Sequence, residues 1–233
     1  MNAGYFLGYS GRLSNYLRHP LRTVIGDSEI QRNSRKEFTE MIEREGPDAV
    51  LLQEVDQGSI RSSRHSNTEA LKNSLPDKFD SCSRTKYSGV LSRTPFSRNM
   101  SNMVAATEKV ENHYLDKGTK SLVQEIQKDS LSIFSVHLAR FGKKVRRKQM
   151  KQIKNIAEQR EKYIVAGDFN FMKASEIETA RKIFDKHFHD GKTFPADSPE
   201  KPLDMAFSSD NLDVAVTTLE ETFSDHRPIR IEI

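Results

Sequence analysis

Short apolar runs that end in a single ionisable or amide residue recur along this chain and predict its strands. Residues 163–166 are Tyr-Ile-Val-Ala and lead straight into Gly167-Asp168-Phe169-Asn170. A run of that length, stopped by glycine, reads as a buried strand whose end carries a carboxylate and a carboxamide two residues apart. Residues 49–53 lead in the same way into Glu54, and Ser135-Val136 into His137. A last short strand over residues 229–233 follows Phe223-Ser224-Asp225-His226-Arg227-Pro228, where the proline ends the loop.

Helical spacing fills the intervals. Ser28 followed by Gln31 has the form of a capping box, and Ile30, Phe38, Met41 and Ile42 make a stripe that stops at Gly46-Pro47. Residues 57–67 are polar and read as a loop beyond Glu54, with a short helix over residues 68–75. Residues 103–110 are expected to pair with residues 122–126. The latter are expected to pair in turn with residues 131–138 across Gln127-Lys128-Asp129-Ser130. Over residues 143–159, Val145, Met150, Ile153, Ile156 and Ala157 share a helical face, while Lys143, Lys144, Arg146, Arg147, Lys148, Lys151 and Lys154 crowd the rest. This predicts an outer helix with its charges in water. The competing reading is a phosphate-tracking patch whose binding would weaken steeply with salt. With no internal repeat and no linker-like tract, the pattern implies one α/β or α+β domain over residues 1–233.

Composition narrows the classes. At 233 residues the chain can bury a sizeable core, and its formal charge of +4 leans toward an anionic partner without naming one. A lone cysteine, Cys82, excludes an intrachain disulfide framework and suits a reducing compartment, so a cytoplasmic location is expected unless a targeting segment has been removed. No apolar run reaches membrane-spanning length, and the absence of tryptophan removes one common aid to stacking on single-stranded bases.

Five separated motifs point to one chemistry. Gln53-Glu54, His137, Gly167-Asp168-Phe169-Asn170, Leu203-Asp204-Met205 and Ser224-Asp225-His226, in that order, resemble the endonuclease/exonuclease/phosphatase superfamily, the DNase I-like metal-dependent phosphoesterases. Asn2-Ala3-Gly4-Tyr5 resembles the family's first motif. Only Met1 precedes that asparagine, where relatives carry several apolar residues, so the first core strand is expected to be missing or truncated. The resemblance implies a four-layer α/β/β/α sandwich of two mixed sheets. It also implies a phosphoester substrate, nucleic acid among the candidates, and a monomer.

The same resemblance suggests roles. Glu54 and Asp225 would hold Mg²⁺ or Mn²⁺, which favour hard oxygen donors, with Asn2 as a weaker carbonyl contact. Asp168 would orient or deprotonate the attacking water, and Asn170 and His137 would donate to phosphoryl oxygens. His226 would donate from the opposite side or act as acid or base, with Asp204 fixing its tautomer. The expected activity is hydrolysis of a phosphodiester by direct water attack. The alternatives are an inactive scaffold on the same fold, a phosphomonoesterase or a phospholipid hydrolase.

Bland readings stand beside these roles: an Asp or Asn after a strand is often a turn-maker, and a strand histidine is often a satisfied core group. His187 and His189, with Asp185 and Asp190, have metal-ligand spacing but read as surface or structural residues.

Overall fold

The computed structural model describes residues 1–9, 27–59, 62–75, 81–86, 100–118, 120–188 and 191–233. Helix α1 (Ser28–Glu45) starts one residue earlier than the capping-box pattern suggests. Its cap is Asp27, whose carboxylate accepts from Glu29 N at 3.0 Å and Ile30 N at 3.3 Å. Asp serves as well as Ser at this position because its oxygen reaches the free N–H groups of the first turn. Gly46 ends the helix at φ 57°, a left-handed turn that feeds strand β1 (Ala49–Asp56). Helix α2 (Asn67–Ser74) and strands β2 (Ser81–Lys86) and β3 (Met100–Ala106) follow, and the three strands make an antiparallel sheet in the order β1-β3-β2.

A six-stranded sheet forms the second half. Its strands are β4 (Val110–Tyr114), β5 (Leu122–Lys128), β6 (Leu131–His137), β7 (Lys162–Asp168), β8 (Lys186–Phe188) and β9 (Asp204–Ser208), in the order β4-β5-β6-β7-β9-β8. β6 and β7 run parallel because helix α3 (Lys143–Ala157) crosses between them, whereas the other pairs are antiparallel. Helix α4 (Ala174–Arg181) lies between β7 and β8, and a separate hairpin joins β10 (Ala215–Thr218) to β11 (Ile229–Glu232). One expected pairing is corrected. Residues 103–106 belong to β3 in the smaller sheet and Val110 to β4 in the larger, because the polar Thr107-Glu108-Lys109 break divides the run. The β5–β6 hairpin forms as expected, turning at Asp129 with φ 51°.

Side-chain alternation sorts four layers. Phe38, Met41 and Ile42 of α1 pack on Val50, Leu52 and Met103 of the smaller sheet. Met150 and Ile153 of α3 and Ala180 of α4 pack on Phe134, Val136, Val165 and Phe207 of the larger one. Ile164, Ala166, Leu51 and Val104 fill the space between the sheets. The sandwich is also stitched by a polar bond, Gln53 Nε2 donating to Ser135 Oγ at 3.0 Å with both residues buried.

The first strand is reduced to a single parallel bridge between Asn2 and Gln53. Around it, Gln53 N donates to Met1 O (3.0 Å), Ala3 N to Gln53 O (2.8 Å) and the Met1 amino group to Leu51 O (2.8 Å). The smaller sheet is therefore antiparallel apart from this bridge rather than fully mixed. A groove of about 540 Å³ runs between β1 and the β10–β11 hairpin, lined by Met1, Val50, Leu51, Ile164, Ile229 and Ile231.

Gly167 shows how tightly β6 and β7 approach. Its φ is 141°, and a Cβ there would run into the carbonyl oxygen of Val136 on the paired strand. Gly167→Ala is expected to destabilise the fold by about 2 kcal/mol or more, read as a lower urea midpoint at unchanged slope.

Candidate active site

Strand register alone builds a row of ionisable groups. His137 pairs with Asp168 across β6–β7, and Asp168 pairs with Asp204 across β7–β9. Side chains directly opposite in register share one face of a sheet, so all three project into the space between the two sheets. His137 Nε2 lies 3.3 Å from Asp168 Oδ2.

Glu54 reaches this row because β1 is irregular. Val50 and Leu52 face α1, but the next residue to do so is Val55, since the register with β3 shifts between Leu52 and Val55. The extra residue of this bulge is Glu54, held at φ 56°, and its carboxylate turns toward His137, with Oε1 3.6 Å from Nε2. Glu54 therefore sits inside β1, two residues before its end.

The remaining expected residues meet the same cluster. Asn2 Nδ2 donates to Asp168 Oδ2 (3.1 Å), while its Oδ1 accepts from Gly4 N at 2.9 Å. Asn170 N donates to Asp168 Oδ1 (2.8 Å), and its side-chain amide donates to Leu138 O (3.0 Å), so one of its two amide hydrogens is engaged by the backbone. His226 Nδ1 donates to Asp204 Oδ2 at 2.6 Å, which leaves the Nε2–H of the ring for other partners. Asp225 precedes it on a loop tied to the first motif by Ser224 Oγ donating to Asn2 O (2.8 Å), and its carboxylate packs against Gly4. Asn2, Glu54, His137, Asp168, Asn170, Asp204 and His226 form one hydrogen-bonded and ion-paired neighbourhood, bordered by Asp225.

One member had no counterpart among the sequence candidates. Lys120, buried just ahead of β5, donates through Nζ to Glu54 Oε1 at 2.8 Å and also to His137 Nε2. Its backbone is clamped from α3 by Gln149, whose Nε2 donates to Lys120 O (2.7 Å) and Lys117 O (3.0 Å) and whose Oε1 accepts from Ala139 N (2.9 Å). Helix α3 supplies a second brace. Arg146 and Glu176 form a buried ion pair (2.7 Å), with Arg146 donating also to Ala139 O and Arg140 O, and Glu176 accepting from Met172 N. Arg146 and Lys154, the latter paired with Asp185 at 2.6 Å, are thus structural, while Lys143, Lys144, Arg147, Lys148 and Lys151 stay in water as expected of an outer helix.

Comparison with known proteins follows this geometry. A model of the Endonuclease/Exonuclease/phosphatase family matches residues 30–226. The chain belongs to that family. No curated protein sequence matches it. Among solved structures, a family member from Leptotrichia buccalis superposes with a TM-score of 0.68 at 18% identity, covering 87% of this chain and 93% of that one. A humanized D. rerio TDP2 gives 0.63 at 15% identity, covering 87% and 92%. A mannosyl-6-phosphatase from Bacteroides thetaiotaomicron gives 0.62 at 16% identity, covering 89% and 95%. At such identities the likeness establishes the DNase I-like sandwich and nothing finer. Among the described residues, no helix is long and apolar enough to cross a membrane.

Burial and charge set the protonation states. Burial would raise the Glu54 carboxyl, but Lys120 and His137 outweigh it and hold it down at about 2. Burial lowers the His137 ring and Lys120 lowers it further, against the opposing pull of Asp168 and Glu54. Burial also opposes ionisation of Asp168, yet His137, His226 and Lys120 together hold it far below the ordinary carboxylate range. His226 moves the other way: desolvation lowers it, but Asp204, then Asp168 and Asp225, push it up to about 10. It is an imidazolium at neutral pH.

The family is generally dependent on a divalent metal, and the donor chemistry here fits one. Glu54 is an acceptor-only carboxylate that already grips a compact cation, the Lys120 ammonium, and Asp225 offers a second carboxylate. Asn2 is a poorer third donor, since its Oδ1 is shared with Gly4 N–H. A different cluster, Glu111, His113 and Glu125, also brings ligand atoms together. It lies on the outer face of β4–β5, and Arg160 already neutralises Glu125 through contacts of 2.7 and 3.0 Å. His187 shares its Nδ1 with Arg181 (3.2 Å), and His189 and Asp190 lie outside the described residues.

The His226 shift carries a stability consequence with a definite sign. Its folded value exceeds the ordinary 6.5, so its stabilisation is fully present below about pH 6.5 and is lost as pH rises through about 10. Asp204→Asn is expected to flatten that alkaline decline in urea-unfolding stability. In an NMR titration it is expected to return the His226 midpoint to 6.5 or lower.

Proposed function

We propose that this protein is a Mg²⁺- or Mn²⁺-dependent phosphoesterase that hydrolyses a phosphodiester by direct attack of water. The observation that carries this reading is the register-fixed row of His137, Asp168 and Asp204, joined by Glu54 from the facing sheet and closed by an imidazolium at His226. Phosphoryl transfer demands neutralised phosphoryl oxygens, an aligned nucleophile and a steadied leaving oxygen, with little covalent chemistry by the protein itself.

Glu54 and Asp225 would hold the divalent ion, which when bound supplies positive charge to the phosphoryl oxygens. Asp168, ionised well below neutrality, is a weak proton sink and a strong acceptor, so it orients the attacking water by taking one of its hydrogen bonds. As the water oxygen bonds to phosphorus and the ester P–O bond breaks, the water releases one proton to solvent and the leaving oxygen takes one up, and between the two events negative charge grows on the phosphoryl and leaving oxygens. The His226 Nε2–H answers that charge, and Asp204 keeps it charged and aimed by holding Nδ1. Asn170 contributes its second amide hydrogen to a phosphoryl oxygen. Asn2 keeps Asp168 in place from the β1 side.

Asp168→Asn and His226→Ala are each expected to lower Mg²⁺-dependent hydrolysis of bis-p-nitrophenyl phosphate by about 10³-fold while thermal unfolding stays cooperative. Full turnover in either variant would overturn the assignment. Because one structural neighbour is a mannosyl-6-phosphatase, p-nitrophenyl phosphate is the comparison substrate, and a faster rate on it would favour a monoester. No turnover with any divalent ion would favour a scaffold role.

A further inference from the structure

Two cations have a claim on one carboxylate in this site. Lys120 Nζ sits 2.8 Å from Glu54 Oε1 and donates to His137 Nε2 as well, so the ammonium lies between the expected metal ligand and the expected phosphoryl donor. The contact is built rather than incidental. The Lys120 side chain is only 8% exposed, Gln149 fixes its backbone carbonyl, and β5 begins two residues later, next to the end of β6 that carries His137. A divalent ion on the same carboxylate would sit at about 2.1 Å from an oxygen. That places it within a few ångströms of the ammonium, where like charges repel and little water intervenes to screen them.

We propose that Lys120 is the site's internal competitor for the divalent cation, occupying Glu54 until the metal displaces its ammonium and thereby setting how tightly the metal binds. The inference rests on the metal-dependent reading of the site given above, because it requires that Glu54 be a ligand. Lys suits the task better than Arg: its charge is compact, its stem has four rotatable methylenes, and it can withdraw without dismantling a planar bidentate pair. Once displaced, the ammonium remains tethered at the mouth of a site whose substrate carries a phosphoryl anion. Glu54 faces a cation in both states, the lysine or the metal.

The test is Mn²⁺ binding, measured by the electron paramagnetic resonance signal of free Mn²⁺ and by the rise in melting temperature with added ion, on four forms of the intact chain. Wild type is expected to bind, and Glu54→Gln is expected to lose binding. Lys120→Met, close in size but uncharged, is expected to bind about tenfold more tightly or better, with a lower melting temperature in chelator and a larger rise with Mn²⁺. Lys120→Arg keeps the charge in a planar group that is harder to displace and is expected to bind no more tightly than wild type, which separates charge from packing. If Lys120→Met binds Mn²⁺ no more tightly than wild type while Glu54→Gln loses it, the competitor role is wrong and the metal site stands. If Glu54→Gln binds as wild type does, or no form binds, the metal-site reading fails and the competitor role fails with it.

Discussion

Ionisable groups buried at one end of a sandwich must be neutralised where they stand, and this requirement organises the whole site. Asp168 is 1% and Asp204 0% exposed, depths at which an unpaired carboxylate costs far more than the fold can spare. Each therefore has specific partners. Asp204 holds a charged histidine, Asp168 collects donors from Asn2 and the Asn170 backbone, and Glu54 holds Lys120. The partners come from both sheets, both chain ends and the loop before β5. The cluster is thus a tertiary fastener as well as the candidate site, and a change to one charge is felt by the others.

The surrounding layers keep those partners in register. Gln53 ties the facing sheets together through Ser135, immediately beside the residue that turns Glu54 toward the cluster. On the far side, Arg146 and Gln149 of α3 reach past their own layer to hold the backbone on either side of the row, at Ala139, Arg140, Lys117 and Lys120. Such groups tie down the backbone on which the candidate residues stand, the support that an aligned nucleophile would require. The basic stripe on that helix is accordingly divided. Its inward members are braces, and its outward members are a solvated face.

Much of the candidate cluster was legible in the sequence because apolar runs ending in one polar residue mark strand ends, and parallel or adjacent strands align those ends. That logic brought Asp168 and His137 into view from local sequence and, with the family motifs, Asp204 and His226. It missed Lys120 for an identifiable reason. β5 is antiparallel to β6, so its beginning, not its end, lies beside His137, and Lys120 precedes the run Leu122-Val123 rather than following it. A search for ionisable residues at both ends of every strand would have found it. The β3/β4 division was hidden because residues 103–110 read as one strand, whereas at Thr107-Glu108-Lys109 the chain passes from one sheet to the other. The Asp27 cap was hidden because Asp, then Ser, gives two capping residues in succession.

The single supernumerary residue in β1 makes this strand unusually intolerant of changes in length. Deleting one position between Leu52 and Val55 would still leave a plausible extended segment, with hydrophobic residues spaced two apart and a ladder free of interruption. Its sheet pairing would improve. The acidic side chain, however, would no longer be lifted out of the pleat, and the resident cation would lose its counter-charge. A more regular strand would move Glu54 from the position in which it now meets Lys120 and His137.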